Sequence, residues 1–292
     1  MLAAIASLAL LCTAAALRHA NGRDELDLTG YKLTFDEEFN RFSASPDGVG
    51  TTWETKYFWG GRQLSGASDY YLDESVGRVG QSPYSVAQGV LTIRASSTSP
   101  ELKAAGVPTP FTTGQIDTRN SFSQTYGYFE IRAQVSGTHG TNSAFWLLPH
   151  SGAWPPEIDV AEVLGRDPRT DVITNHSSSP KSAHRTTATA GVDLSQDFHT
   201  YGLMWTPTTM TFYLDGIVRY TTPTQADEHQ PMYLLATLGV GGSWAGNPPA
   251  TNFSAEMKID YIRAYSNDPN ATAVAPQAGC ASDRGAAAAQ RE

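Results

Sequence analysis

The chain is poor in cysteine. Among 292 residues there are two, Cys12 and Cys280. Cys12 lies in an N-terminal segment that we expect to be removed, which leaves one cysteine near the C-terminus. An internal disulfide is thereby excluded for the mature chain, so its stability must come from core packing. A hydrophobic content of 40% is enough for a core of ordinary size.

Basic residues are also scarce, with 20 Lys and Arg against 29 Asp and Glu and a formal net charge of −9. No basic cluster is present, which argues against nucleic-acid binding. No phosphate loop, Cys/His metal set or nucleophile elbow occurs either. Aromatic residues are plentiful, with 13 Tyr, 11 Phe and 6 Trp. Because aromatic rings can stack on the apolar faces of sugars, a carbohydrate ligand fits this composition.

The longest apolar run is at the N-terminus, over residues 1–17. It ends in small residues, as a secretory signal peptide does, and cleavage after Ala16 satisfies the small-x-small rule. We expect residues 1–20 to be a signal peptide and short linker, and the protein to be secreted, extracellular or periplasmic, without a membrane partner after removal. The alternative is a membrane anchor, for which the run is short.

The rest of the chain shows alternating patterns and no long helical period. In residues 126–135 one face carries polar and aromatic residues and the other apolar ones, which predicts a half-buried strand. Many short strands joined by turns indicate an all-β sandwich. We place one folded domain at residues 26–266. Residues 267–292 are rich in Asn, Pro, Ala, Gly and Gln, a composition that predicts a disordered, low-complexity tail.

Three carboxylates stand in one short apolar stretch, at Glu157, Asp159 and Glu162. Side chains of a strand alternate, so Glu157 and Asp159 share a face, whereas Glu162 is out of phase. One extra residue, a β-bulge at Val160 or Ala161, would bring Glu162 back to that face. We therefore predict a bulge at this position, with the residue between the first two acids facing the core.

Carboxylates are rarely buried without a partner or a function. Glycoside hydrolysis needs one carboxylate as nucleophile and another as proton donor, about 5–5.5 Å apart in retaining enzymes. A third carboxylate between them can hydrogen-bond the nucleophile and, by like-charge repulsion, keep the donor protonated. Two alternatives stay open from these residues alone. They are an ion-paired strand on an acidic surface and a site for a hard cation.

Seven blocks, in order along the chain, together resemble glycoside hydrolase family 16, in the variant with a bulged active-site strand. The blocks are Phe35–Asn40, Tyr126–Ala133, Ala144–Pro149, Glu157–Glu162, Phe198–Gly202 with Trp205–Pro207 and Phe212–Gly216, Val240–Trp244 and Asp260–Tyr265. The resemblance covers nearly the whole predicted domain. Within it, residues 155–165 most resemble bacterial endo-β-1,3-1,4-glycanases linked to exopolysaccharide processing; laminarinase-type enzymes are further relatives.

The resemblance implies a β-jelly roll of two curved antiparallel sheets with a concave substrate cleft. It implies endo-hydrolysis of internal β-1,3 bonds, β-1,4 bonds or both in a polysaccharide, with retention of configuration. That polysaccharide would be a β-glucan or a bacterial exopolysaccharide. We expect the secreted enzyme to be a monomer. Carried over by residue, Glu157 is the nucleophile, Asp159 its assisting carboxylate and Glu162 the acid/base. No cofactor is required, although some members bind a structural calcium, here near Glu38 and Asp260.

Further residues are candidates for substrate binding. For the tryptophans the alternative is core packing, and a lone histidine often has no special role. Arg132 shares the polar face of its strand with an acid that it could contact instead of the sugar. The candidates are Trp154, Trp59, Trp244, His176 and Arg132.

Two other functions remain compatible with the sequence. A transglycosylase would use the same carboxylates, with a sugar in place of water resolving the glycosyl-enzyme. A non-catalytic carbohydrate-binding jelly roll would not need a nucleophile, so the presence of all three acids argues against it. Release of reducing ends in dilute substrate would favour hydrolysis over both.

Overall fold

The structure is a computed structural model that describes residues 25–64, 66–179, 181–249 and 252–277. The predicted signal peptide at residues 1–20, both cysteines and the tail from residue 278 onward lie outside the described residues. Among the residues that are described, no helix has the length and hydropathy needed to cross a bilayer.

Short strands make up most of the described chain. The first nine are β1 (Lys32–Glu37), β2 (Ala44–Ser45), β3 (Trp53–Glu54), β4 (Asp69–Tyr71), β5 (Tyr84–Ala87), β6 (Val90–Ser97), β7 (Phe111–Thr113), β8 (Gln115–Asp117) and β9 (Gly127–Gln134). The remaining nine are β10 (Thr141–Pro149), β11 (Glu157–Leu164), β12 (Thr170–Ser178), β13 (Lys181–Thr189), β14 (His199–Trp205), β15 (Thr209–Leu214), β16 (Ile217–Pro223), β17 (Met232–Val240) and β18 (Ser254–Ser266). The helical segments are α1 (Pro100–Ala104), α2 (Gly242–Ala245) and a 3₁₀ turn at Ala226–Glu228.

Two sheets contain all of these strands. A ten-stranded sheet has the order β16-β15-β14-β9-β18-β6-β7-β4, with β1 on β18 and β5 on β6. An eight-stranded sheet has the order β13-β12-β11-β10-β17-β8-β3-β2. The all-β sandwich is confirmed. The pairing departs from the prediction in two short places, because β2 with β3 and β4 with β7 are parallel.

The main core lies between the two sheets and follows the alternation of the sequence. From β9 it takes Phe129, Ile131 and Ala133, so Glu130 and Arg132 lie on the outer face of the ten-stranded sheet. Burying each large apolar side chain contributes roughly 1.5–3 kcal/mol. The largely apolar strand β17 lies between β10 and β8 in the eight-stranded sheet.

A second, smaller apolar cluster covers part of the outer face of the eight-stranded sheet. Its members are Tyr57, Tyr71, Trp146, Leu148, Tyr233 and Leu235. Tyr57 and Tyr71 come from the segment between β3 and the end of β4, which therefore folds over this face. The cluster leaves β11 and β12, at the far side of the same sheet, for the candidate site.

Part of the segment predicted to be a disordered tail packs on the domain. Val274 donates its backbone N–H to the Leu33 carbonyl at 2.9 Å, and the backbone N–H of Gln277 binds Asp36 at 2.6 Å. Composition alone does not reveal such backbone contacts, since β1 offers hydrogen-bonding groups to any chain that runs beside it.

Candidate active site

The bulge predicted in the acidic strand is confirmed. Against β10 the register shifts so that Phe145 faces Ala161 while Trp146 faces Asp159, which leaves Val160 as the extra residue. The pairing with β12 shifts at the same place, between Asp159 and Glu162. Two consecutive residues, Val160 and Ala161, therefore point toward the core.

The bulge puts all three acids on the outer face of the eight-stranded sheet. Ile158 and Val163 belong to the core cluster, so Glu157, Asp159 and Glu162 face away from it. A regular strand would have turned Glu162 into the core as an unpaired carboxylate, at a cost of several kcal/mol by order of magnitude. The one-residue bulge avoids that cost.

His176, on the neighbouring strand β12, lies directly beside the first two acids. Its Nε2 is 3.3 Å from Asp159 Oδ2 and 3.9 Å from Glu157 Oε1. Its position follows from the register, in which His176 is the partner of Glu157. The structure therefore brings this candidate together with the nucleophile candidate, as one side of a compact group.

Burial, and next the nearby charge of Asp159, raise the pKa of Glu157 to about 8. Two carboxylates this close cannot both ionise readily. Trp154 donates its Nε1–H to Glu157 Oε2 at 2.6 Å. Trp154, by this hydrogen bond, and His176, by its proximity, favour the ionised form of Glu157 but do not offset the rise in its pKa.

Glu162 is held by two neutral donors at one oxygen. Asn142 Nδ2 and Trp244 Nε1 each lie 3.0 Å from Glu162 Oε1. Asn142 comes from β10, on the same outer face as Ala144 and Trp146. Sequence reasoning missed Asn142; its alternation with core-facing Phe145 was visible, but the pairing of its strand with β11 was not.

Trp244 reaches Glu162 because two glycines precede it. Gly241 and Gly242 both have φ +78°, in the left-handed region that favours glycine. A Cβ on Gly242 would lie 2.4 Å from the Gly66 carbonyl oxygen, so only glycine allows the close approach to that loop. Trp244 was predicted to stack on sugar; the structure adds a hydrogen bond to the acid/base candidate.

Trp154 and Trp59 are large exposed aromatics, at 66% and 48%. Trp59 stacks on Tyr57 with ring centroids 4.4 Å apart, and Tyr57 packs edge-on against Trp146. Since Trp146 is the strand partner of Asp159, Trp59 lies on the same side of the sheet as the acids. Sugar binding by both tryptophans stays a prediction.

Arg132 is not part of this group. It lies on the outer face of the ten-stranded sheet, where its Nη1 binds Asp260 Oδ2 at 2.7 Å and its guanidinium lies over Phe198. Alternation correctly put it on a polar face, but that face belongs to the other sheet. The prediction that Arg132 binds the substrate of this site is therefore wrong.

Possible metal ligands were considered at two places. Near the predicted calcium position, Glu38 pairs with Arg263 and Asp260 with Arg132, so a cation would have to share these carboxylates with arginine; calcium there stays a prediction. At the candidate site, ligand atoms of Glu157, Asp159 and His176 lie within 4.8 Å of one another, close enough to bind one cation. That position is also where a substrate would meet the nucleophile.

Known proteins resemble this chain over most of its length. It is 38% identical over 265 residues to the endo-1,3-1,4-beta-glycanase EglC of Rhizobium meliloti (strain 1021), covering 88% of this chain and 56% of that relative. A beta-glucanase of Rhodothermus marinus is 31% identical, with 80% of this chain and 85% of the relative covered. The chain thus spans only a little over half of EglC.

Among solved structures, the crystal structure of SCLam, a non-specific endo-beta-1,3(4)-glucanase from family GH16, superposes with a TM-score of 0.72. The sequence identity is 26%, and the match covers 84% of this chain and 95% of that one. Residues 76–263 match the profile of glycosyl hydrolases family 16. Together with the bulged acidic strand, these matches show that the chain belongs to glycosyl hydrolase family 16.

Proposed function

We propose that the protein is an endo-β-1,3(4)-glucanase that retains the configuration at the anomeric carbon. The observation that carries this proposal is the bulge, which sets Glu157, Asp159 and Glu162 on one outer face. Retaining glycosidases need a nucleophile and a proton donor about 5–5.5 Å apart, and we expect that separation between the carboxyl groups of Glu157 and Glu162.

In the first step, a Glu157 carboxylate oxygen attacks the anomeric carbon as the glycosidic C–O bond breaks. Glu162 gives its proton to the departing oxygen, so the leaving sugar becomes neutral. Asn142 and Trp244 both bind Oε1 of Glu162. We assign the proton to Oε2, since a neutral carboxyl group carries it on one oxygen only.

In the second step, water attacks the anomeric carbon and the bond to Glu157 breaks. Glu162, now ionised, takes a proton from that water, which returns both groups to their starting state. Asp159 assists the nucleophile through its hydrogen bond with Glu157, because the strength of that bond changes as the charge on Glu157 changes during the reaction. Negative charge leaves Glu157 when the covalent bond forms and returns when it breaks.

The substrate class rests on the relatives. EglC is named for 1,3-1,4-β-glycans, and SCLam for β-1,3(4)-glucan. A mixed-linkage β-glucan is therefore the first candidate substrate. A bacterial exopolysaccharide is the second, because residues 155–165 most resemble enzymes linked to exopolysaccharide processing. A polysaccharide is too large to enter a cell intact, so the enzyme would meet it outside the cell, which fits the predicted signal peptide and secretion.

The test uses the full-length chain with laminarin, lichenan, agarose and a succinoglycan-type polymer. We expect reducing ends from laminarin or lichenan, and NMR of the first products should show the β-anomer before mutarotation. Glu157→Gln serves as the inactive control. Products of the α-configuration would contradict retention, and chain-length redistribution without new reducing ends would identify a transglycosylase.

A further inference from the structure

A buried acid lies directly beneath the bulge. Asp171 is on β12 and is 1% exposed. Ile173, two residues later, belongs to the core cluster, so Asp171 points to the interior rather than to the outer face. A carboxyl group buried between the two sheets lowers the stability of the fold unless it is hydrogen-bonded or ion-paired there.

Asp171 contacts the backbone of the acid/base candidate. Its Oδ1 accepts the N–H of Glu162 at 3.2 Å. The ladder between β11 and β12 is interrupted between Asp159 and Glu162, where the bulge changes the register. A side chain of β12 thus supplies the acceptor for Glu162 where the regular pairing resumes, and this contact fixes the end of the bulge.

The surroundings suit a neutral Asp171. Burial raises its pKa to about 8; the hydrogen bond from the Glu162 N–H lowers it, and the nearby Glu162 carboxyl group raises it again. A neutral carboxyl group can accept at one oxygen and donate from the other. The hydroxyl of Tyr201, on β14 across the core, is buried without a hydrogen-bond partner among the described residues. Burial raises the pKa of Tyr201 well above its usual value, and the charges of Asp171 and Asp215 raise it further.

We propose that Asp171 is a positioning residue for the acid/base Glu162. By holding the Glu162 backbone at the bulge, it sets the height of the Glu162 carboxyl group over the glycosidic oxygen. Asn142 and Trp244 orient the same carboxyl group from the outer face, while Asp171 acts from the core side. This inference rests on the role proposed for Glu162.

A merely structural Asp171 would lower stability and slow all substrates alike. A positioning Asp171 would act on proton donation, which matters most for poor leaving groups. The informative readout is therefore the slope of log kcat/KM against the pKa of the leaving phenol, in a series of aryl β-glycosides of a glucan disaccharide. Wild type should show a shallow slope, because Glu162 supplies the proton.

Three variants separate these roles. Asp171→Val removes the acceptor at similar volume, and Asp171→Ala replaces it if the valine variant does not fold. Asp171→Asn keeps the acceptor oxygen and resembles the neutral acid. Ile173→Ala is the matched control, since it destabilises the same strand without touching Glu162.

We expect Asp171→Val to lose about 100-fold on polysaccharide and poor leaving groups, the loss typical of a 1 Å misplacement, and much less on a dinitrophenyl glycoside. Its slope should become steep, whereas Asp171→Asn stays within about threefold of wild type. Equal loss for all leaving groups in Asp171→Val, as in Ile173→Ala, would overturn the proposal.

A second readout does not depend on activity. In NMR hydrogen exchange, the amide of Glu162 should exchange faster in Asp171→Val and stay protected in Asp171→Asn. Unchanged protection in Asp171→Val would overturn the contact itself. If the proposed function fails, Glu162→Gln will leave the wild-type slope unchanged. If only this inference fails, Glu162→Gln will steepen the slope and Asp171→Val will not.

Discussion

The outer faces of the two sheets both carry carboxylates, but their partners differ. On the ten-stranded sheet, arginine binds the acids: Arg263 pairs with Asp36 and Glu38, and Arg132 with Asp260. On the eight-stranded sheet, two tryptophans and an asparagine donate to Glu157 and Glu162. Paired charges hold a structure together, whereas acids held by neutral donors can still gain and lose protons.

This difference separates two uses of the same side chain. A carboxylate beside a guanidinium keeps its charge over the working pH range, so it cannot act as a proton donor. A carboxylate that is buried beside another acid has a raised pKa, as Glu157 does. Substitutions of the acids on either face therefore test this difference between charge-paired and proton-exchanging carboxylates.

Glu157→Gln should lower kcat by about 10⁴-fold or more, as loss of a covalent nucleophile does, because the amide cannot attack the anomeric carbon. Thermal unfolding should show a folded protein, and sugar binding should persist. Azide should restore partial activity to Glu157→Gly, with a product of inverted configuration. Near-normal turnover by Glu157→Gln would remove this residue as the nucleophile.

Glu162→Gln should lower kcat on polysaccharide by about 10³-fold, within the range for general acid catalysis. Wild-type activity should follow a bell against pH, with the basic limb set by loss of the proton that Glu162 donates. With an activated aryl leaving group the variant should lose that limb. If the same basic limb persists in the variant, the proton donor is another group.

Glu38→Gln tests the opposite face. Glu38 is fully buried, and Glu38→Gln removes the charge that pairs with Arg263. We expect the free energy of unfolding to fall by about 2–4 kcal/mol, with kcat per folded molecule unchanged. Denaturant unfolding and active-site titration measure the two quantities. A selective loss of kcat at full stability would show that this face also serves the reaction.

The last prediction concerns how the stability of the fold depends on pH. Burial raises the pKa of Glu130, on the ten-stranded face, to about 7 and that of Asp117, on the eight-stranded face, to about 8. The unfolded chain loses these protons near pH 4, and the folded protein keeps them to pH 7–8. The free energy of unfolding should therefore fall as pH rises from about 4 to about 8.

Glu130→Gln and Asp117→Asn should each flatten that fall, measured as the melting temperature between pH 5 and pH 8. The two variants test whether burial raises the carboxyl pKa on each of the two faces. A melting temperature that rises over this interval in wild type would contradict the raised pKa values.

The bulge could be predicted because it follows from the alternation of side chains along a strand. Glu162 is out of phase with Glu157 by one residue, and only an inserted residue returns it to the same face. The order of the strands could not be obtained in this way. Arg132 shows the limit, because alternation identified its polar face but not the sheet to which the face belongs. The family resemblance supplied the architecture that periodicity alone leaves open.

Asn142 and Asp171 show a second limit. Each acts on Glu162 from a neighbouring strand, at sequence distances of 20 and 9 residues. Nothing in their local sequence marks them, since polar residues in strands usually face solvent. Their roles depend on register between strands, which depends in turn on the bulge.

The chain after β18 has a consequence for the self-association of the protein. Strand β1 pairs with β18 along one side, and Val274 binds the Leu33 carbonyl on β1. A strand edge with open N–H and C=O groups invites pairing with another chain, and proline ends such pairing because it has no N–H. Residues 267–277 include Pro269 and Pro276, so we expect this segment to hinder the pairing of β1 with another molecule. Shortening the protein at Ser266 should therefore leave the hydrolytic machinery intact while making the protein prone to edge-to-edge aggregation.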